Sequence, residues 1–394
     1  MTTFLILWLL TQAIAVALVF AYSIGLGRPA APRATPPVAV IVAVKGRDPE
    51  FDGCLKRLFA QDYPTYRVVF SVESATDPAV GAIEPYWQAH PDRVTLVVAG
   101  LAEREGQKTA NLLAAVAHLT PRDEVLVFAD ADIWPEPDWL NRLVEPLVAD
   151  KAEIVTGFSW MLVEDDKFTS HLMTSMAASV ATIPRLPFLN GVWGGSAAIR
   201  QRHFHELGMT RHWRGTLSDD LQMTNVAQKA GDRIAVPREL LLRTAIRTGG
   251  LKEVIDGARR WYMLVRVHLP AAYAMTVAAL TFVTAGWIAA LAGAALGRAD
   301  ALVVLIAAFT LSVLRTFGRL LLVRRLWGRA GVAENVPYLK VDWLVSPLAT
   351  ALSAACGWSA LLMRRTTWSG ITYELRGPQQ VEIIARRDAP RVQG

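Results

Sequence analysis

The chain opens on a long apolar run: from Phe4 to Gly27 no residue is charged. About 20 consecutive apolar residues are enough to cross a bilayer core as a helix, so residues 4–27 predict an N-terminal transmembrane helix. No lysine or arginine precedes the run, and it is longer than the core of a signal peptide, which favours a retained anchor over a cleaved leader. Arg28 and Arg33 follow at once and put that end in the cytoplasm. Residues 28–37, "RPAAPRATPP", read as a stiff proline-rich linker.

The pattern then shortens. "VAVIVAV" (38–44), "RVVFSV" (67–72), "VTLVVA" (94–99) and "EVLVFA" (124–129) are brief, continuous apolar runs. Such runs fit parallel strands buried on both faces. Helix-like stretches, "EFDGCLKRLFAQ" and "KTANLLAAVAHL", separate them, and strand–helix alternation predicts an α/β, Rossmann-like domain over 38–268. Beyond it the chain turns apolar again. Residues 269–297 and 301–323 predict a transmembrane hairpin, and 343–363 a third transmembrane or re-entrant helix. A basic tail, 364–394, follows. If the third segment spans, that tail lies outside, against the positive-inside tendency.

Composition agrees with a catalytic domain fused to membrane segments. Hydrophobic residues are 53 % and charged ones 19 % of 394, with a mean hydropathy of +0.28. The net charge of +6 is modest, and the arginines cluster beside apolar runs, where they meet lipid head groups. No nucleic-acid module is visible. Cys54 and Cys356 form neither a zinc spacing nor a disulfide framework. His203, His205 and His212 are close in sequence but match no common zinc pattern.

Three constellations carry candidate chemistry. Asp130 and Asp132 end the strand at 124–129, where α/β sheets bind ligands. Two carboxylates there suit Mg²⁺ or Mn²⁺, which are held by one or two carboxylates plus substrate phosphates. In "LSDDLQMTNVAQKAG" (217–231), Ser218 or Asp219 is placed to cap a helix. Capping explains one acidic residue better than two, so Asp220 is a candidate general base. In "GARRWYMLVR" (257–266), Arg260 offers donors to a diphosphate and Trp261 a flat face beside it. Within "RLPFLNGVWGGSAAIR" (185–200), Gly194, Gly195 and Ser196 allow close backbone approach. Leu186, Phe188 and Trp193 supply apolar surface for an acceptor cleft.

This ordered set, D-x-D, D-D and R-W ahead of membrane helices, resembles membrane-bound glycosyltransferases of the family 2/21 type. More narrowly it resembles ceramide glucosyltransferases and their bacterial, including hopanoid-associated, relatives. "VKGRDPEFDGCLKRLFAQDYPTYRVVFSV" (44–72) is similar to the family's K-G-x-D-P…Q-D-Y-P start. "TTWSGITYELRG" (366–377) is similar to its W-x-x-G-x-Y-x-L-R tail. The resemblance implies a GT-A fold with one N-terminal and about three C-terminal transmembrane helices. It implies transfer, with inversion, of a sugar from a UDP-sugar to a lipid hydroxyl at the bacterial inner membrane, with glucose and ceramide the first expectation. A hopanoid or diacylglycerol acceptor, a processive polysaccharide synthase and a non-catalytic scaffold are the alternatives.

By the same resemblance Asp130, assisted by Asp132, binds nucleotide sugar and metal, and Asp220 is the base with Asp219 its acidic neighbour. Lys45, Lys108, Asn111, Arg260 and Trp261 border the donor. Three positions depart from the family pattern. Glu73 and Ser74 stand where an aspartate is usual after the second strand, with Asp77 nearby. Gly257 occupies the first place of (Q/R)-x-x-R-W, with Arg259 close to it. Ile183 replaces the histidine of S-H-P-R.

Overall fold

The computed structural model describes residues 2–27, 32–165, 167–183 and 190–386. A helix α1 (Thr2–Ile24) leads into the α/β unit: β1 (Val38–Ala43), α2 (Phe51–Phe59), β2 (Tyr66–Val72), α3 (Val80–Ala89), β3 (Val94–Val98), α4 (Gln107–Val116), β4 (Val125–Ala129) and α5 (Trp139–Val148). Next come β5 (Ile154–Thr156), β6 (Phe158–Val163), α6 (Phe168–Ala181), β7 (Ser196–Arg200), α7 (Gln201–Glu206), α8 (Met209–Trp213), α9 (Asp219–Ala230), β8 (Ile234–Ala235) and β9 (Leu241–Ile246). Four helices follow: α10 (Leu251–His268), α11 (Pro270–Ala295), α12 (Ala299–Leu339) and α13 (Asp342–Ala360). Strands β10 (Arg365–Trp368), β11 (Ile371–Gly377) and β12 (Gln380–Arg386) close the described chain.

The main sheet has the order β3-β2-β1-β4-β7-β5-β8. Its first four strands are parallel, and β7 runs antiparallel between β4 and β5. The continuous apolar runs are continuous because both faces are covered. Val40, Val68 and Val127 pack into one core with α2 and α5. Ile41, Val69 and Phe128 pack into another with α4, α8 and α9. Register places Val42 opposite both Phe70 and Ala129. The carboxyl ends of β1, β2 and β4 therefore finish at one edge, and Lys45, Glu73 and Asp130 emerge there together.

Among the described residues three helices, α1, α11 and α12, are long and apolar enough to cross a membrane. They approach closely through small residues, as packing between helices in lipid favours. A Cβ on Gly286 would lie 2.2 Å from the Trp8 ring, and one on Gly318 would lie 2.9 Å from Val19. Trp8 and Trp287 meet edge to face at 5.2 Å.

The third expected C-terminal span is not among these three. Helix α13 carries Asp342, Pro347 and several serines, which lower its apolarity. Both of its ends touch elements of the α/β unit: Asp342 accepts from Ser175 of α6, and Ala360 packs with Met263 and Tyr373. The expected basic tail is structured as far as Arg386. Residues 365–386 form an antiparallel sheet whose Arg386 donates to Gln107 Oε1 (3.2 Å) and Ala102 O (2.6 Å). The tail as far as Arg386 thus lies on the side of the α/β unit, which removes the charge conflict of a spanning α13.

The joint between membrane helices and α/β unit is a buried charge network. Arg319 and Asp342 are 1 % and 0 % exposed and pair at 2.6 Å. Tyr338 and Thr316 also donate to the Asp342 carboxylate, at 2.6 and 2.8 Å. Removing one member strands the other charge in the interior, which costs about 3–5 kcal/mol, whereas replacing both by apolar residues costs much less. Asp342→Ala is therefore expected to lower the melting temperature in detergent far more than the double change Arg319→Leu/Asp342→Leu. Equal melting temperatures for Asp342→Ala and the wild type would sink this account.

Candidate active site

At the sheet edge, polar groups first shape the backbone. Asp77, mostly buried, accepts from the Gly46 amide with both oxygens at 3.0 Å and from Ala79 N. It holds the turn after β1, where Gly46 has φ 71°. Asn111 is 1 % exposed, and its amide donates to Val44 O and Ser71 O at 3.1 Å while its oxygen accepts from Gln107. It clamps β1 to β2 and also lines the cleft, where it was expected to border the donor. Lys45 reaches outward and pairs with Glu73 at 2.7 Å.

The cleft above this floor has a volume of about 240 Å³ and is lined by Lys45, Asp48, Lys108, Asp130, Asp132 and, from the C-terminal sheet, Trp368, Ser369 and Tyr373 among others. Lys108 leaves the first turn of α4 to stand 2.7 Å from Asp130 Oδ1 and 3.5 Å from Asp219 Oδ1. Burial disfavours its ammonium, but Asp130, Asp219 and Asp220 outweigh that and raise its pKa. Asp132 responds in the opposite sense. Burial, then the carboxylates of Asp130 and Asp48, push its pKa up to about 7. Burial likewise lifts Asp219 to about 6, against the pull of Lys108.

Asp220 sits in the first turn of α9 and is fixed from three sides. Ser218 Oγ (2.5 Å) and Leu221 N (2.7 Å) donate to Oδ1, and Gly194 N donates to Oδ2 at 3.2 Å. Ser218 is the N-cap residue, but its hydroxyl serves Asp220 and not the helix amides. Gly194 is needed for close approach: a Cβ there would meet Asp219 Oδ2 at 2.7 Å and Lys108 Nζ at 3.0 Å. Gly195 lies against the Trp193 ring. Ser196 is buried and accepts from Trp139 Nε1 at 2.9 Å, so it supports the β7 start and presents nothing to an acceptor. Leu186 and Phe188 lie outside the described residues.

The R-W helix is α10. The flat face over Arg260 belongs to Trp368, whose ring centre is 5.3 Å from the guanidinium carbon, while Trp261 is 36 % exposed and does not line the cleft. Burial lowers the Arg260 pKa. Gly257, the missing side chain of the motif, faces α6, where a Cβ would come within 3.3 Å of Met173 Cε; here that position serves helix packing. His268 at the end of α10 is buried, with Nδ1 3.1 Å from Gln222 Oε1, and burial lowers its pKa to about 4. His203 pairs with Asp232 at 2.8 Å, away from the cleft.

Sequence reasoning missed the cleft roles of Trp368, Ser369, Tyr373, Asp48 and Gln107. The tail motif at 366–377 held the first three, but only the folded chain brings them to β4. Tyr373 Oη accepts from the first amide of α4, Gln107 N, at 3.2 Å, which docks the C-terminal sheet on the helix that carries Lys108.

These residues fit a divalent cation. Among the described residues no three His, Cys, Asp or Glu side chains converge into a cage. A hard cation carried in with a diphosphate needs only one or two carboxylates. Asp130 and Asp132 provide them, both lining the cleft; burial first, then the carboxylates of Asp130 and Asp48, raises the Asp132 pKa.

Comparison with known proteins follows the same line. A ceramide glucosyltransferase of Komagataella phaffii (strain GS115 / ATCC 20864) is 28 % identical over 115 residues, 28 % of this chain and 22 % of that protein. The alignment thus spans about a fifth of the relative's length. The solved structure of the mannosyltransferase PcManGT from Pyrobaculum calidifontis, in complex with GDP-Man and Mn²⁺, superposes with a TM-score of 0.52 at 20 % identity, over 87 % of this chain and 99 % of that one. At that identity the likeness is one of fold, and the fold is GT-A. The model of Glycosyl transferase family 21 matches residues 5–381, and the chain belongs to that glycosyltransferase family.

Proposed function

We propose that this enzyme transfers glucose from UDP-glucose, with inversion, to the hydroxyl of a membrane lipid of the ceramide type, at the cytoplasmic face of a bacterial inner membrane. One observation carries the reading. One carboxylate of each acidic pair, Asp130 and Asp219, contacts the same ammonium, Lys108, which lines the cleft beside Asp130 and Asp132. That is the separation of tasks an inverting transfer needs: one carboxylate set for the leaving diphosphate, another for the incoming hydroxyl. The relative's printed activity supports glucose and ceramide. The neighbour's Mn²⁺ and nucleotide sugar support the donor class and the metal. The three span-length helices among the described residues favour single transfer over polymer export.

Asp130 and Asp132 would hold Mg²⁺ or Mn²⁺, which when bound neutralises charge on the departing UDP. Asp220, held by Ser218, Leu221 and Gly194, takes the proton from the acceptor hydroxyl as that oxygen attacks the sugar carbon. Lys108 and Arg260 supply fixed positive charge near the diphosphate. Trp368, backed by Arg260, offers a stacking face to the uracil.

Asp220→Asn is expected to lower kcat by about 10²–10⁴-fold while UDP binding is retained, read by mass spectrometry of glycolipid formed from UDP-glucose, Mn²⁺ and ceramide. Normal turnover in that variant would reject Asp220 as the base. Loss of the Trp368 ring should weaken UDP binding about tenfold; calorimetry on Trp368→Ala showing unchanged affinity would remove it from the donor site. Because Asp132 is protonated up to about pH 7 and must ionise to bind metal, Mn²⁺ affinity should climb as pH rises towards 7 and level off above it. A Mn²⁺ affinity flat between pH 5.5 and 8, followed by electron paramagnetic resonance, would contradict the environment assigned to Asp132.

A further inference from the structure

Helix α12 is broken at Gly328, whose φ of 65° and ψ of −151° belong to a region that only glycine enters without strain. Before the break, Phe317, Leu320, Leu321 and Arg324 follow one another at i, i+3, i+4 and i+7, a single stripe of a helix apolar enough to span. After the break, Arg329 and Val332 return to the same side, and the six residues enclose a cavity of about 350 Å³. Phe317 is 57 % exposed, its ring 6.3 Å from that of Phe20 of α1, while Gly318 and Leu322 are buried against the protein.

The arginines beside the break divide their tasks. Arg325 donates to Ser23 O and Ile24 O, closing the carboxyl end of α1. Arg324 and Arg329 line the cavity and, among the described residues, have no hydrogen-bond or ion-pair partner. Two unpaired guanidiniums over an aliphatic and aromatic wall, at the end of a span, complement one ligand chemistry: a phosphate ester attached to an acyl chain. A free anion would leave the apolar wall unused, and a neutral lipid would leave the guanidiniums unmatched.

We propose that the kink of α12 is a binding site for an anionic phospholipid, its phosphate between Arg324 and Arg329 and its acyl chain along Phe317, Leu320 and Leu321. The site shares no residue with the cleft at Asp130. It rests on α12 spanning the bilayer and not on the identity of sugar or acceptor. A lipid that bridges the two sides of the break braces the segment that α12 offers to the α/β unit, where Trp160 donates to Asn335 at 2.8 Å and packs on Trp327.

The test reconstitutes the full chain in nanodiscs of mixed phosphatidylglycerol and phosphatidylcholine and counts retained lipids by native mass spectrometry. Phosphatidylglycerol should be retained preferentially. Arg324→Gln and Arg329→Gln should each reduce retention about fivefold, and together about 25-fold. Leu320→Trp should displace the lipid by filling the groove with both charges intact, and Arg364→Gln, an exposed arginine elsewhere, should have no effect. The proposal is overturned if Arg364→Gln lowers retention as much as the groove variants, since the attraction is then diffuse. It is overturned equally if the double variant retains the lipid, or if inorganic phosphate competes it away while Leu320→Trp does nothing. Failure of the protein to enter nanodiscs at all would instead overturn the spanning of α12, and the lipid site with it.

Discussion

Everything at the cleft depends on where Lys108 sits. Its ammonium lies between a carboxylate at the end of β4 and one at the start of α9, and in a half-buried setting neither acidic pair could be brought so close to the other without it. The lysine is placed in turn by its helix. Tyr373 and Gln107 dock the first turn of α4 against the C-terminal sheet, while Asn111, one turn on, ties that helix to β1 and β2. A single cation thus links Asp130, Asp219 and the sheet edge into one electrostatic unit, and Gly194 lets the β7 loop approach it to within van der Waals contact.

The same logic extends to the membrane. The cleft wall formed by Trp368 and Tyr373 belongs to a sheet that begins directly after α13, and α13 is held to α6 and α12 by the Arg319–Asp342 network. Helix α10 completes the circuit, since it carries Arg260 beneath Trp368 and packs Gly257 against α6. Chemistry at the cleft and anchorage in lipid therefore share structural members.

The departures from the family pattern also take physical meaning in this frame. Glu73 answers Lys45, and Asp77 supports the Gly46 turn, so acidic residues after β2 order the mouth of the cleft. Gly257 is small because α6 is close. Neither change touches the Lys108 cluster.

Much was legible in the order of residues. Apolar runs named the strands of the parallel sheet, because burial on both faces leaves no room for alternation. Charge-free stretches of spanning length named α1 and α11, and an apolar run ending in Arg315 and Arg319 named α12; the charge-free run at 344–363 was not among the span-length apolar helices, because Asp342, Pro347 and its serines lower the apolarity of α13. Asp130, Asp132, Asp219 and Asp220 stood out because acidic pairs at strand and helix ends are costly without a task. Long-range contacts decided the rest. That Trp368 and not Trp261 covers Arg260, that Ser196 faces inward, and that residues 365–386 return to the α/β unit all follow from pairings between segments far apart in the chain. Local pattern is set by whether a side chain meets water, lipid or core, and so can be read from sequence; which two distant surfaces meet is set by shape and charge complementarity, which exists only once the chain has folded.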